Sequence, residues 1–330
     1  MSGWINQGIN GVVIMADYLR ILESVMPIFL IMILGAGVRA RGWLNKQADD
    51  TLMKLAINLL FPCLILEKII GNKALALDSA ENLFLPPVLG FFAAAIGFLV
   101  AYVSSRWLGL DKEVKRRTFA MTVGVFNFGY IPIPLIMDFF GVKTLGVLFV
   151  FNLGVDVAIW TVGISLLTGA NPFKEWRRLF SGPLIAIFLG LILNLLVERS
   201  HIPVTCITLM QMLGGAAIPV ILLLIGAVMY DYFQPGILKE GVSTSLGAAF
   251  LRLIFLPAIF LIVAKFLPMS EELRQVIAVQ AAMGSGVFPL VMTRHYKGDV
   301  PTAFRVIFTT SILSLVTIPL WLRFGLWLIH

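Results

Sequence analysis

Apolar runs of about 20 residues, each closed by a short polar or Pro/Gly/Asn break, recur along the whole chain, and a helix of that length crosses the hydrocarbon of a bilayer. In the first half they cover Tyr18–Val38, Thr51–Ile70, Leu83–Trp107, Arg117–Phe140 and Thr144–Thr168. In the second they cover Gly182–Val197, Thr205–Met229, Ser243–Leu267, Arg274–His295 and Thr302–Trp321. Only 13% of the residues are charged, where a soluble domain has about 25%, so water is not the main solvent of this surface. The expected fold is an all-α membrane protein of ten transmembrane helices. Residues 1–168 form one five-helix repeat, 169–181 a cytoplasmic linker rich in Lys174, Arg177 and Arg178, and 182–330 the second repeat.

The net charge of +7 does not point to nucleic acid, because the basic residues sit in short clusters between apolar runs, as in loops beside anionic lipid headgroups. With the N-terminus outside, the inner loops hold about 16 basic residues against about 8 on the other side, so both termini are expected outside the cell membrane. The first 17 residues lack a basic segment followed by a long apolar run, and no cleaved signal peptide is expected. Cys63 and Cys206 have no CxxC or Cys/His spacing and read as small packing residues. His201 and His295 lie at span edges and His330 is last, with no HExxH or paired carboxylates, so neither a metal site nor intramembrane hydrolysis is expected. No GxxxxGK[ST] loop supports ATP-driven transport. No cofactor is expected beyond a coupling ion, H+ or Na+.

A shift of about 157 positions, without a gap, aligns Pro62 with Pro219, Gly90 with Gly247, Arg117 with Arg274, Gly129 with Gly286, Pro132 with Pro289 and Gly141 with Gly298. Each half has an odd number of spans, so the second copy enters the membrane from the other side, the inverted-repeat design of many secondary transporters. The fourth and ninth spans are mates in this alignment and are the least helix-like. One contains Asn127, Gly129, Tyr130, Pro132 and Pro134, the other Gly284, Ser285, Gly286 and Pro289. Proline lacks an amide hydrogen and glycine admits non-helical torsions, so each span is expected to break into two half-helices. Irregular backbone at membrane depth is tolerated only inside protein or beside a watery cavity, so two breaks at matched depth suggest one central site.

Half-helices beginning near Pro132 and Pro289 would present amide hydrogens and a positive dipole end to an anion, and the opposing ends would present carbonyls to a cation. Ordinary proline kinks are the competing reading. Asp156 and Arg252 lie well inside apolar runs, where a charge costs at least about 2.5 to 3.5 kcal/mol and needs a partner or water. They read as coupling or charge-balance residues, or else as a structural pair or a snorkelling arginine. Asn58, Asn152 and Gln280 are candidates to line the cavity or to make interhelical hydrogen bonds.

Asn58-Leu59-Leu60-Phe61-Pro62-Cys63-Leu64-Ile65, Asn127-Phe128-Gly129-Tyr130-Ile131-Pro132, the Arg252-to-Pro257 stretch and the region from Ala281 to Pro319 together resemble the auxin efflux carrier family of permeases. The resemblance covers nearly the whole chain from Tyr18. It implies an inverted-repeat fold with crossed broken helices, similar to bile-acid and sodium/proton transporters. It also implies a scaffold of helices 1, 2, 6 and 7, often dimeric, beside a moving unit of helices 3–5 and 8–10. Family members in bacteria are associated with organic acids such as malonate and malate, and plant members with indole acetate. Carried over by position, the crossover site is Asn127, Gly129, Pro132, Gly286 and Pro289, with Gly284 standing where its mate has Asn127. The expected function is alternating-access carriage of a small organic anion; an ion channel, a membrane-embedded enzyme and a ligand-binding receptor are the alternatives.

Overall fold

The computed structural model describes residues 11–75, 81–169, 181–233 and 241–329, and the regular structure among them is helical throughout. Lys174, Arg177, Arg178, Lys239 and His330 lie outside the described residues. In chain order, α1 is Gly11–Ala40, and α2, Lys46–Leu55, runs through a π-helical turn at Ala56–Leu60 into α3, Phe61–Ile69. Then follow α4 (Glu81–Ser104), α5 (Glu113–Gly124), α6 (Pro132–Phe139), and α7 (Gly141–Ala158), which passes through a second π turn into α8 (Ile164–Thr168). The second half has α9 (Gly182–Leu196), α10 (Val204–Gly215), α11 (Ala217–Tyr232), and α12 (Val242–Phe250), joined by a third π turn, Leu251–Phe255, to α13 (Leu256–Phe266). The chain closes with α14 (Glu271–Ala282), α15 (Phe288–His295) and α16 (Val300–Ile329).

Among the described residues, six stretches are long and apolar enough to cross a membrane by themselves: Ile21–Ala40, Asn82–Leu108, Gly141–Thr168, Val204–Tyr232, Val242–Phe266 and Val300–Leu328. The other four expected spans differ for physical reasons. The second carries Lys54, Glu67 and Lys68, the sixth is only 15 residues long, and the fourth and ninth are each split in two.

Proline explains the third π turn. Pro257 has no amide hydrogen to give to the carbonyl of Leu253, four residues earlier, and the Trp321 indole N–H of α16 takes that carbonyl instead. The turn therefore ties α12–α13 to α16.

Helices α1 and α11 lie along each other, and α3 packs against α9 and α10. Separately, α4 packs against α5 and α7, while α16 runs across α5, α12 and α14. Close approach of α4 and α7 depends on Gly90 and Gly154, where an added Cβ would run into the backbone carbonyls of Phe151 and Pro87. The contacts that join these two groups of helices include the packing of α1 and α11 on α16, Ser24 Oγ to Asp138 Oδ2 at 2.6 Å, Asn72 Nδ2 to the Val142 carbonyl at 2.7 Å, and the Phe61 and Tyr130 rings, 6.0 Å between centroids. Outside the apolar spans, the Tyr102 hydroxyl and then Arg117 donate to Glu113 and hold its carboxyl below the usual carboxylate range, pinning the end of α4 to the start of α5.

Candidate functional site: two crossed helix breaks

Helix α5 stops at Gly124 and α6 begins at Pro132; α14 stops at Ala282 and α15 begins at Phe288 with Pro289 second. The two gaps meet. Phe126 and Ser285 form an antiparallel bridge, in which the Asn127 amide donates to the Gly284 carbonyl at 2.9 Å and the Gly286 amide to the Val125 carbonyl at 2.8 Å. Glycine is required at position 286, because an added Cβ would lie 2.9 Å from the Phe126 carbonyl oxygen.

Backbone freed from helix at this depth must find partners inside the protein, and here side chains supply most of them. The Phe128 carbonyl accepts from Asn152 Nδ2 at 2.9 Å and from Gln280 Nε2 at 3.1 Å, and Gln280 Nε2 also reaches Asn152 Oδ1 at 3.3 Å. The Ser285 amide donates to Thr310 Oγ1 of α16 at 3.1 Å. Asn152 and Gln280 thus make the interhelical bonds that were one of their two expected roles, and they make them at the crossing. Asn58 is elsewhere: it is exposed, and its Nδ2 donates back to the Lys54 carbonyl at 2.9 Å.

Arg252 is completely buried. Its Nε donates to the Met283 carbonyl at 2.8 Å and Nη2 to the Gln280 carbonyl at 3.2 Å, both at the C-terminal end of α14. A positive charge there complements the negative end of the helix dipole. The guanidinium also lies over the rings of Phe126 (4.8 Å) and Phe260 (5.6 Å), and Nη1 is left without a partner. The expected cation at an interrupted-helix carbonyl end is, for α14, the protein's own arginine. It does not pair with Asp156, whose side chain makes no ion pair or hydrogen bond among the described residues.

The two half-helix starts are chemically unequal. At α6 the Asn127 side-chain oxygen accepts from the amides of Tyr130 (3.1 Å) and Ile131 (3.5 Å), so this start is capped from within. Prolines 132 and 134 offer no donor. At α15 the residue in the place of Asn127 is Gly284, which has no side chain to do this, and the matching amides of Val287 and Phe288 make no hydrogen bond among the described residues. Beside them the Ser285 hydroxyl, 2% exposed, also lacks a partner. The sequence points to one central site with a positive half-helix end on each side; the end at α6 is already capped by an asparagine.

Four contributors were not anticipated. Phe126 and Phe260 flank Arg252, Thr310 holds Ser285, and the Trp160 ring packs 5.9 Å from Phe288, the first residue of α15. Thr310, a polar residue within an apolar run, was the one with a visible signal.

A family described as membrane transport protein matches the chain over residues 20–174 and 170–322. An uncharacterized transporter of Methanothermobacter thermautotrophicus is 27% identical over 91% of this chain and 96% of its own length. Another, from Methanocaldococcus jannaschii, is 24% identical over 91% and 97%. A probable auxin efflux carrier component of rice is 29% identical over 37% of this chain and 21% of its own length.

Proposed function

The chain belongs to the membrane transport protein family, and on that premise we propose that it carries a small organic anion, a mono- or dicarboxylate, bound at the start of α15. It is an integral membrane transporter and not an enzyme. The carrying observation is the unequal capping: Val287 and Phe288 present free amides at a positive helix end where Gly284 withholds the side chain that Asn127 supplies to α6. A carboxylate on the substrate completes at α15 what the asparagine completes at α6. The Ser285 hydroxyl gives it a neutral donor, and the nearby Arg252 charge favours a negative guest over a neutral one.

The proposal includes ten transmembrane helices in two inverted repeats. It is supported by the breaks falling at equal places under a shift of 157, Gly129 on Gly286 and Pro132 on Pro289. Helices α1–α3 and α9–α11 form the scaffold and the remainder the moving unit, which slides or rocks past the Ser24–Asp138, Asn72–Val142 and Phe61–Tyr130 contacts. The distribution of basic residues supports both termini outside the cell membrane. The exposed apolar face of α9 (Ile185, Phe188, Ile192) and α10 (Leu209, Met212) is compatible with pairing of two copies through the scaffold.

Purified protein screened by thermal shift against mono- and dicarboxylates is expected to be stabilised by about 2.7 kcal/mol with a ligand at 100 times its Kd. The same compound should then enter vesicles saturably and with counter-exchange. Failure of every carboxylate to shift the melt contradicts the anion site. Non-saturating conductive flux would make the protein a channel, and binding without flux a receptor.

A further inference from the structure

Asp156 lies on α7 between two residues whose contacts are known. One turn before it, Asn152 donates to the Phe128 carbonyl in the first break, and one turn after it, Trp160 packs on Phe288 at the start of α15. Residues four apart share a helix face, and Trp160 opens the π turn that continues α7, so Asp156 lies on the face that runs from the first break toward the Phe288 side chain at the start of α15. It is half-buried and, among the described residues, held by no hydrogen bond or ion pair.

The titratable group facing it is the phenol of Tyr130, from the approach to α6. The other elements packed on α7 bring their charges elsewhere. On α14 these are Glu271, Glu272 and Arg274, all in the first turn, and on α6 it is Asp138, bonded to Ser24 in the last turn. Lys73 is in the short turn after α3, and Glu67 and Lys68 pair with each other at the end of α3, while α9 has no charged residue. Arg252 is committed to the carbonyls of α14. Among the described residues, therefore, no fixed cation neutralises Asp156.

We infer that Asp156 and the transported anion are alternative negative occupants of this one positive field, so that Asp156 takes up a proton each time the anion binds and the carrier moves proton and anion together. The inference rests on the anion site proposed above. Two negative charges held in one site, at the effective dielectric near 20 of a protein interior, repel each other and weaken binding. A proton on the carboxylate oxygen, taken from the water on the entry side, removes that repulsion. When the anion leaves on the other side, the repulsion that trapped the proton is gone and the O–H bond gives it back to water. One proton and one anion cross, no other bond changes, and Tyr130 stays neutral.

The test is calorimetric titration of malonate into purified protein between about pH 7 and 8.5, in two buffers of different ionisation enthalpy, with Asp156→Asn alongside. In the wild type, malonate binding should be accompanied by proton uptake, and affinity should fall as the pH rises. Asp156→Asn, with its melting temperature as a check on folding, should bind malonate with no proton uptake and no pH dependence. In vesicles it should exchange malonate but lose acceleration by an inward proton gradient. Wild-type binding with buffer-independent heat overturns the coupling while leaving the anion site standing, as does an Asp156→Asn variant that still takes up a proton. Absence of malonate binding to both proteins, together with a negative carboxylate screen, overturns the site and the coupling with it.

Discussion

Arg252→Ala is expected to lower stability by about 4 kcal/mol, which for a chain of this size corresponds to a fall in melting temperature on the order of 10 °C. The substitution leaves the Met283 and Gln280 carbonyls at the end of α14 without donors in a region closed to water, each at a cost of about 1–3 kcal/mol. It also empties the space of a completely buried side chain between Phe126 and Phe260. Arg252→Met refills most of that space but restores no donor, so it should recover only part of the loss. An arginine that merely snorkelled would give neither result: both variants would melt like the wild type in a fluorescence-monitored thermal scan. Loss of the α14 anchor should also weaken transport, because the Phe126–Ser285 bridge depends on where α14 ends.

The second large effect is expected at Gly284. Gly284→Asn places at α15 the amide oxygen that Asn127 places at α6, and that oxygen should take the Val287 and Phe288 amides the substrate needs. Two lost hydrogen bonds to a charged guest amount to about 3 kcal/mol, roughly a 100-fold loss of affinity. Gly284→Ala is the control, since any Cβ here meets the Thr310 carbonyl oxygen at 2.9 Å and imposes the same small displacement on α16. Equal carboxylate affinity of the alanine and asparagine variants, measured by thermal shift, would place the anion away from these amides.

How much of this was readable in the amino acids depends on the range over which each force acts. Apolar runs and prolines act locally, so the helices and the breaks before Pro132 and Pro289 could be located from the sequence. The Asn127 cap is also local, an asparagine three residues before the amide it binds, a spacing visible in the amino acids themselves. Nothing local says that the Val125 carbonyl pairs with the Gly286 amide, or that Arg252 ends a helix about 30 residues further on; those facts are created by packing. Asn58 shows a different limit: its polarity within an apolar run made it a candidate for the cavity or for an interhelical bond, and its exposed side chain donates to the Lys54 carbonyl of its own helix.

The most direct measurement is a structure of the protein bound to a carboxylate that carries bromine, with the heavy atom fixing its position. The account predicts a carboxylate oxygen within about 3 Å of the Val287 and Phe288 amides at the start of α15. A ligand found instead in the cavity between α3 and α10, beside Glu67 and Gln211, with those amides still empty, would contradict it.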